Sequence, residues 1–249
     1  AEIDSKPVPA GHPAAVRAGE QLRIDSPTGG CRAWLAISGG VDVEPVLGSR
    51  STDLRSGFGG FQGRALRDGD ELSFGETSPR AKTLIQKLQR ETIGRWAPPH
   101  EWSNPARRNP LLRFVRGRNI DLFDDALIER FTSQTFHVSP DSDRMGIRLN
   151  GTSLERVNKS DLLSEAVAPG TVQVPPGGHP IVLLNDCQTI GGYPKIAHVI
   201  TVDLPVAAQV CPGDPVKFSE VSLTDAHTLL LTLEQKLQQF RRGLETVST

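Results

Sequence analysis

Three stretches of the sequence place glycines beside arginine, hydroxyl and amide side chains, the groups that hold anions and amides. The first begins Ser38-Gly39-Gly40-Val41-Asp42, continues through Gly48-Ser49-Arg50-Ser51-Thr52, and is followed by further glycines over residues 56–64. Glycine lets backbone N–H groups approach an anion, and Ser49 and Ser51 add donors around the planar fork of Arg50. The second, residues 139–149, contains Asp143-Arg144-Met145-Gly146, where Asp143 can orient Arg144 toward a carboxylate or phosphate. The third, residues 185–197, gathers Gln188, Thr189, Gly191, Gly192, Lys195 and the chain's single tyrosine, Tyr193. A loop so equipped can bind an amide or carboxylate and hold an oxyanion. Each stretch reads equally as a glycine-rich turn with its Arg or Lys in a surface ion pair.

General catalytic templates are absent: there is no GxSxG, GxxxxGK[ST], HExxH or GxGxxG motif. The six histidines (His12, His100, His137, His179, His198, His227) lack metal-ligand spacing and read as structural, so no metal site is predicted. Cys31, Cys187 and Cys211 are odd in number, far apart and without a CxxC, which predicts neither a disulfide framework nor structural zinc. The 249 residues carry 28 Lys+Arg against 29 Asp+Glu, a net charge of -1, unlike the basic excess of a nucleic-acid or anionic-membrane binder. No apolar run approaches the ~20 residues that span a bilayer. The start, Ala1-Glu2-Ile3-Asp4-Ser5-Lys6, has no signal-peptide pattern. The expectation is a soluble, cytoplasmic chain with neither nucleic acid nor membrane as partner.

The elements that position these stretches are mainly β. Gly 24 and Pro 19 exceed the roughly 12% combined share usual in proteins and are spread along the chain, so they read as many tight turns. One unit recurs at residues 16–24, 66–74, 167–174 and 210–218: a glycine beside a short polar residue, then an alternating strand. Generic turns account for it without common ancestry. Residues 33–37, 111–116, 181–184 and 196–202 read as strands. Residues 80–93, 121–132 and a C-terminal stretch read as helices. The last is opened by Ser222-Leu223-Thr224-Asp225 as a capping box and ends near Gly243. Its stripe of Leu229, Leu230, Leu233, Leu237, Phe240 and Leu244 is expected to pack on the parent protein. The proline-rich residues 94–110 mark a boundary, dividing a lobe over 1–100 from one over 101–249. The nearby Arg107, Arg108, Arg113, Arg116 and Arg118 read as a solvated face.

Taken in order, the three stretches resemble the biotin-dependent carboxyltransferase subunit family. That family includes the 5-oxoprolinase C subunit, KipA, proteins labelled allophanate hydrolase subunit 2 and the matching part of urea carboxylase. The resemblance lies in residues 36–42 and 46–52, Gly59-Gly60-Phe61-Gln62-Gly63-Arg64, Ser142-Asp143-Arg144-Met145-Gly146, Gln173-Val174-Pro175-Pro176-Gly177-Gly178-His179-Pro180, and Gln188-Thr189-Ile190-Gly191-Gly192-Tyr193-Pro194-Lys195. It covers essentially the whole chain.

The resemblance implies a two-lobed, cyclophilin-like β-barrel architecture with a few peripheral helices, including a C-terminal one; the lobes form one carboxyltransferase-type domain in that view. It implies a KipI-like partner (the 5-oxoprolinase B subunit), joined by the A subunit, in a complex that opens the cyclic amide 5-oxo-L-proline to L-glutamate with ATP hydrolysis, the lone chain being inactive. Lys195, Arg144 and Tyr193 are then the expected catalytic residues. Ser49, Arg50, Ser51, Asp143, Gln188, Thr189, Gly191 and Gly192 are expected to bind substrate. Two alternatives stay open: a KipA-like antagonist of a histidine-kinase inhibitor, and the carboxyltransferase part of a urea carboxylase. The latter would need biotin on a separate carrier, because Met145 is the chain's one methionine and no Met-Lys-Met segment exists. Family members also carry some tens of residues, Gly-Pro-rich, ahead of the match to Lys6-Pro7-Val8-Pro9, and an arginine where Cys187 stands; the first feature leads us to expect a shortened chain.

Overall fold

The computed structural model describes residues 1–27, 29–156 and 162–247. The chain divides into two compact units. Ala1–Arg23 and Ala33–Trp96 belong to the first; Ile24–Arg32 and Ala97–Thr246 belong to the second.

The first unit is built from short hairpins and one helix. Strand β1 (Glu2–Ile3) lies between β2 (Lys6–Pro7) and β3 (Leu22–Arg23). Strands β4 (Thr52–Asp53) and β5 (Phe58–Gly59) form a second pair. Helix α1 (Pro79–Glu91) starts where sequence periodicity places it, with Ser78 as N-cap accepting from Ala81 N and proline in the first turn. Among the described residues, the buried apolar side chains of this unit are Ile3, Ala15 and Leu88. Residues 33–37, expected as a buried strand, form no strand, and Trp34 and Leu35 are exposed. An apolar run carries no information about pairing partners, and none reaches this one.

The second unit holds the core. After α2 (His100–Ser103), β6 (Leu111–Arg116) buries Leu112 and Phe114 and turns Leu111 and Arg116 outward, the period of two of a half-buried strand. Helix α3 (Asp125–Ser133) begins later than the expected residue 121: Asp124 caps it by accepting from Leu127 N at 2.8 Å, and residues 120–122 form a separate 3-10 turn. The remaining strands are β7 (Phe136–Val138), β8 (Gly146–Asn150), β9 (Glu165–Ala166), β10 (Thr171–Gln173), β11 (Ile181–Leu183), β12 (Ile190–Gly191), β13 (Lys195–Val199) and, after α4 (Leu204–Ala207), β14 (Pro215–Glu220). Seven strands close into a barrel in the order β10-β11-β8-β7-β14-β6-β13, with β10 pairing β13 at the seam. All pairs are antiparallel except β14 with β6. Strand β13 stops at Val199 and the chain turns into a 3-10 segment, so residues 196–202 are a strand only in part.

Four phenylalanines dominate the interior. Phe131 of α3 stacks on Phe218 of β14 at 4.5 Å, and Phe114 and Phe136 meet both edge-on or tilted. Such rings bury about 150–250 Å² each and prefer these offset geometries. Outside the barrel, Asp203 is buried and accepts from Arg113 N, Nε and Nη2 at 2.5–2.9 Å, fastening β6 to the 3-10 segment. The arginines expected as a solvated face are in part paired: Arg116 with Glu220 and Arg118 with Glu165. Helix α5 (Leu223–Val247) is capped as expected, Ser222 Oγ accepting from Asp225 N at 3.0 Å and donating to Asp225 Oδ2. It continues through Gly243 instead of ending there. Its stripe is half-buried, with Leu237 exposed and Phe240 edge-on to Trp102.

The recurring unit is one physical device used four times. In each copy the N–H three residues on donates to the first carbonyl: Glu20 to Arg17, Asp70 to Arg67, Thr171 to Ala168 and Asp214 to Cys211, at 3.0–3.1 Å. The glycine before that donor sits at φ between 85° and 95°, the left-handed region that L residues avoid. The same fourth residue then turns its side-chain oxygen back onto the first residue's N–H: Glu20 Oε2, Asp70 Oδ2, Thr171 Oγ1 and Asp214 Oδ2 at 2.7–3.3 Å. Asp70 also pairs with Arg64, which together with Arg67 N–H holds its carboxyl down at about 2. That carboxylate's contribution is complete above the ordinary 3.8 and is lost as pH falls through about 2. Asp70→Asn should therefore flatten the acid limb of the unfolding curve between those values, read by circular dichroism.

Glycine substitutions should separate conformational cost from crowding. A Cβ at Gly213 meets nothing within 4 Å, so Gly213→Ala should cost about 1–2 kcal/mol from φ alone. A Cβ at Gly170 would stand 2.8 Å from Val199 O and 3.2 Å from His198 Nε2, so Gly170→Ala should cost more. Gly243, inside α5 with open space around it, should reverse the sign: Gly243→Ala should stabilise by about 0.5–1 kcal/mol. Urea midpoints of the three variants test the order.

Candidate functional site

The seam of the barrel carries the densest polar cluster. Register between β10 and β13 runs Thr171 to His198 and Val172 to Ala197, then shifts so that Gln173 faces Lys195. Thr171, Val172 and Gln173 are all buried: Val172 and Val174 belong to the core, and Gln173, opposite Ile181 and Lys195, lies on the other face of β10. The Gln173 side chain is 1% exposed, and its Nε2 has no hydrogen-bond partner. Its Oε1 lies 3.5 Å from the Nε2 of exposed Gln188, a long contact. A Cβ on Gly191 would stand 2.6 Å from Gln173 Nε2, so glycine there is what lets the amide reach this place.

Lys195 is buried beside it. Nζ lies 3.4 Å from Glu165 Oε2 and 3.4 Å from Gly191 O, so one ammonium ties β13 to both strands of the β9–β12 ribbon. Glu165 also faces Arg118 Nε at 3.6 Å. The backbone of Lys195 is clamped separately: its N–H donates to Asn119 Oδ1, and its carbonyl accepts from Asn119 N, both at 3.1 Å. A Cβ on Gly117 would stand 2.3 Å from Lys195 O, so Gly117 permits that approach. His198, further along β13, is held by burial below the ordinary imidazole value and lies 3.4 Å from Thr171 Oγ1.

The other expected residues fall into distinct settings. Arg144 is not oriented by Asp143, contrary to expectation; its Nε pairs with Asp186 Oδ2 at 3.1 Å. Asp143 Oδ1 instead accepts from Met145 N and Gly146 N, which shapes the turn into β8. Tyr193 and Thr189 are exposed, and Gly192 lies close to Leu162 O. Burial, reinforced by Asp186, pushes the Cys187 thiol above its ordinary value. The second unit thus brings Gln188, Gly191 and Lys195 together and adds Gln173, Glu165 and Arg118, none of them among the expected site residues. A signal for Gln173 does exist in the sequence: a long amide at the end of a Thr171-Val172-Gln173-Val174 strand whose neighbours are buried.

Ser49, Arg50 and Ser51 lie in the first unit. A two-residue turn at Leu47-Gly48, both at positive φ, joins Val46 and Ser49, which exchange backbone bonds at 2.9 and 3.0 Å. Arg50 Nε donates to Val43 O at 3.0 Å with its side chain exposed, and Ser51 N donates to Ser49 Oγ. Much of this glycine content serves close backbone crossings: a Cβ at Gly39 would lie 2.0 Å from Gly75 O, and one at Gly63 2.2 Å from Gly57 O.

Comparison with known proteins agrees with this architecture. The family described as carboxyltransferase domain, subdomain A and B, matches residues 1–220, and the chain belongs to that family. It is 40% identical over 229 residues to the 5-oxoprolinase C subunit of Escherichia coli, covering 91% of this chain and 68% of that protein. Identity to the 5-oxoprolinase C subunit of Haemophilus influenzae is 38%, covering 96% of this chain and 72% of that one. Among solved structures, the Kluyveromyces lactis urea amidolyase superposes with TM-score 0.74 and 26% identity over 96% of this chain, which spans 15% of that much longer protein. Mainly-β architecture around a closed seven-stranded barrel, with a C-terminal helix, is therefore shared with carboxyltransferase domains.

Two substitutions probe the seam. Gln173→Met removes a buried donor that lacks a partner, so stability should hold or rise by about 1 kcal/mol in urea unfolding. Gly191→Ala should push the Gln173 amide aside and cost about 1–3 kcal/mol, the usual range for overpacking.

Proposed function

We propose that this chain is the C component of an ATP-dependent 5-oxoprolinase that opens 5-oxo-L-proline to L-glutamate. The observation that carries this reading is the 40% identity with the Escherichia coli protein over nearly the whole chain. Urea amidolyases match over similar stretches at only 27–29%. In this reading the chain works with a KipI-like B component and with an A component, ATP is a co-substrate of the assembly, and the isolated chain is inactive.

The chemistry explains the assembly. A five-membered lactam is stabilised by amide resonance; phosphorylation of its oxygen activates the ring carbon, water adds there, the C–N bond breaks to leave an acyl phosphate, and a second water releases the phosphate, so ATP hydrolysis accompanies ring opening. This chain supplies donors and positive charge. Arg144 stabilises carboxylate or phosphoryl charge, with Arg50 in the same role. Gln188, Thr189 and Tyr193 orient the amide, and Gln173 stands behind Gln188. Lys195 is held against Glu165, so it acts on substrate charge only as that pair loosens and otherwise shapes the ribbon bearing Gly191. Among the described residues no helix is long and apolar enough to cross a membrane.

Reconstitution with the A and B components tests the reading. 5-Oxoproline-dependent release of phosphate from ATP should need all three chains. Arg144→Ala or Lys195→Ala should lower turnover at least tenfold while circular dichroism stays unchanged. Activity only with urea and a separate biotin carrier would replace this reading with a urea carboxylase-type one, and partner binding without turnover would favour a KipA-like regulator.

A further inference from the structure

Cys31 and Cys211 stand 180 positions apart, yet the fold brings them together. Cys31 lies in Ile24–Arg32, the segment that joins two stretches of the first unit in sequence but belongs to the second. That segment is fastened to the turn after α4. Gln209 Oε1 accepts from Cys31 N and Arg32 N at 3.1 Å, and Gln209 Nε2 donates to Arg32 O at 3.0 Å. Gly30, at φ 78°, makes room, since a Cβ there would stand 2.3 Å from Gln209 Oε1. Cys31 Sγ then donates to Val210 O at 3.1 Å, the carbonyl bonded directly to the nitrogen of Cys211. Cys31 is among the groups whose proximity raises the Cys211 thiol.

Their surroundings differ in a useful way. Cys31 is exposed, and Arg32 Nη1 approaches its sulfur at 3.3 Å. Cys211 is half-buried, and burial, with Cys31 and Asp214 nearby, pushes its thiol above the ordinary value. An exposed sulfur beside a guanidinium is the one an oxidant reaches first; a sheltered thiol next to it is placed to resolve the adduct. Cys187, the third cysteine, sits apart on the loop after β11, where its N–H donates to Leu184 O at 3.1 Å.

We infer that Cys31 and Cys211 form a reversible thiol–disulfide site that a low-molecular-weight disulfide such as oxidised glutathione can close. The Cys31 thiolate attacks one glutathione sulfur, forming a mixed disulfide and releasing one glutathione thiolate. The Cys211 thiolate then attacks the Cys31 sulfur, forming the internal bond and releasing the second. Two protein thiols are oxidised, one glutathione disulfide is reduced, and the two thiol protons end on the two glutathiones. The bond fixes Ile24–Arg32 on the loop after α4. Arg32, which also donates to Ala208 O and to Asp143 O, carries that constraint to the Asp143-Arg144 turn.

The full chain, incubated with oxidised glutathione, alkylated and digested, should yield a Cys31–Cys211 peptide pair lighter by two hydrogens than its reduced parts. Dithiothreitol should reverse it, and Cys187 should remain alkylated. Cys211→Ser should instead trap glutathione on Cys31, and Cys31→Ser should leave Cys211 fully alkylated. Persistent glutathione on wild-type Cys31 with no internal bond, a bond involving Cys187, or full alkylation of both thiols would each overturn the inference.

Discussion

Closure of the barrel at the β10–β13 seam is the constraint on which the rest of the second unit depends. Without it β10 and β13 would each be an open edge, whereas the complete ring gives all seven strands a neighbour on both sides. The seam is not regular, however. Its register slips by one residue at Val172–Gln173, and the slip sets the Gln173 amide opposite Lys195. The polar cluster is thus a product of closing the ring with a bulge, and the aromatic interior provides the rigidity that makes such a defect tolerable.

This arrangement accounts for the way charge is handled. Lys195 is buried but shares the Glu165 carboxylate with Arg118, and its backbone is clamped by Asn119. A buried charge survives when it is paired and hydrogen-bonded, and the pairing joins the ribbon to the barrel. Arg144 and Arg50 are different: both are exposed, each uses Nε on a local acceptor, and neither is enclosed. They are suited to meeting an anion from outside, whereas Lys195 is suited to holding the loop on which Gln188 and Tyr193 are presented.

Much of the fold was legible because local chemistry decides it. The capping box at Ser222 and the four glycine turns each depend on residues within a few positions, and each forms as the sequence indicates. Residues 33–37 and the late start of α3 were not legible for the opposite reason: the first pairs with no strand, and the second starts only where the Asp124 carboxylate caps it, after a separate 3-10 turn. The same division runs through the candidate site. Gln188, Gly191 and Lys195 lie in one contiguous stretch and could be named from it, but Gln173, Glu165 and Arg118 reach them only through strand register and a ribbon that no local pattern specifies. Asp186 displaced Asp143 as the partner of Arg144 because the Asp143 carboxylate is already engaged by two N–H groups of its own turn.

The four turns differ in one atom type. Glu20, Asp70 and Asp214 close theirs with a carboxylate, while Thr171 closes its own with a hydroxyl. A hydroxyl has no charge to lose in acid. The turn that launches β10 is therefore closed by a neutral group, whereas local N–H and guanidinium partners hold the Glu20 and Asp70 carboxyls of two counterparts below their ordinary values.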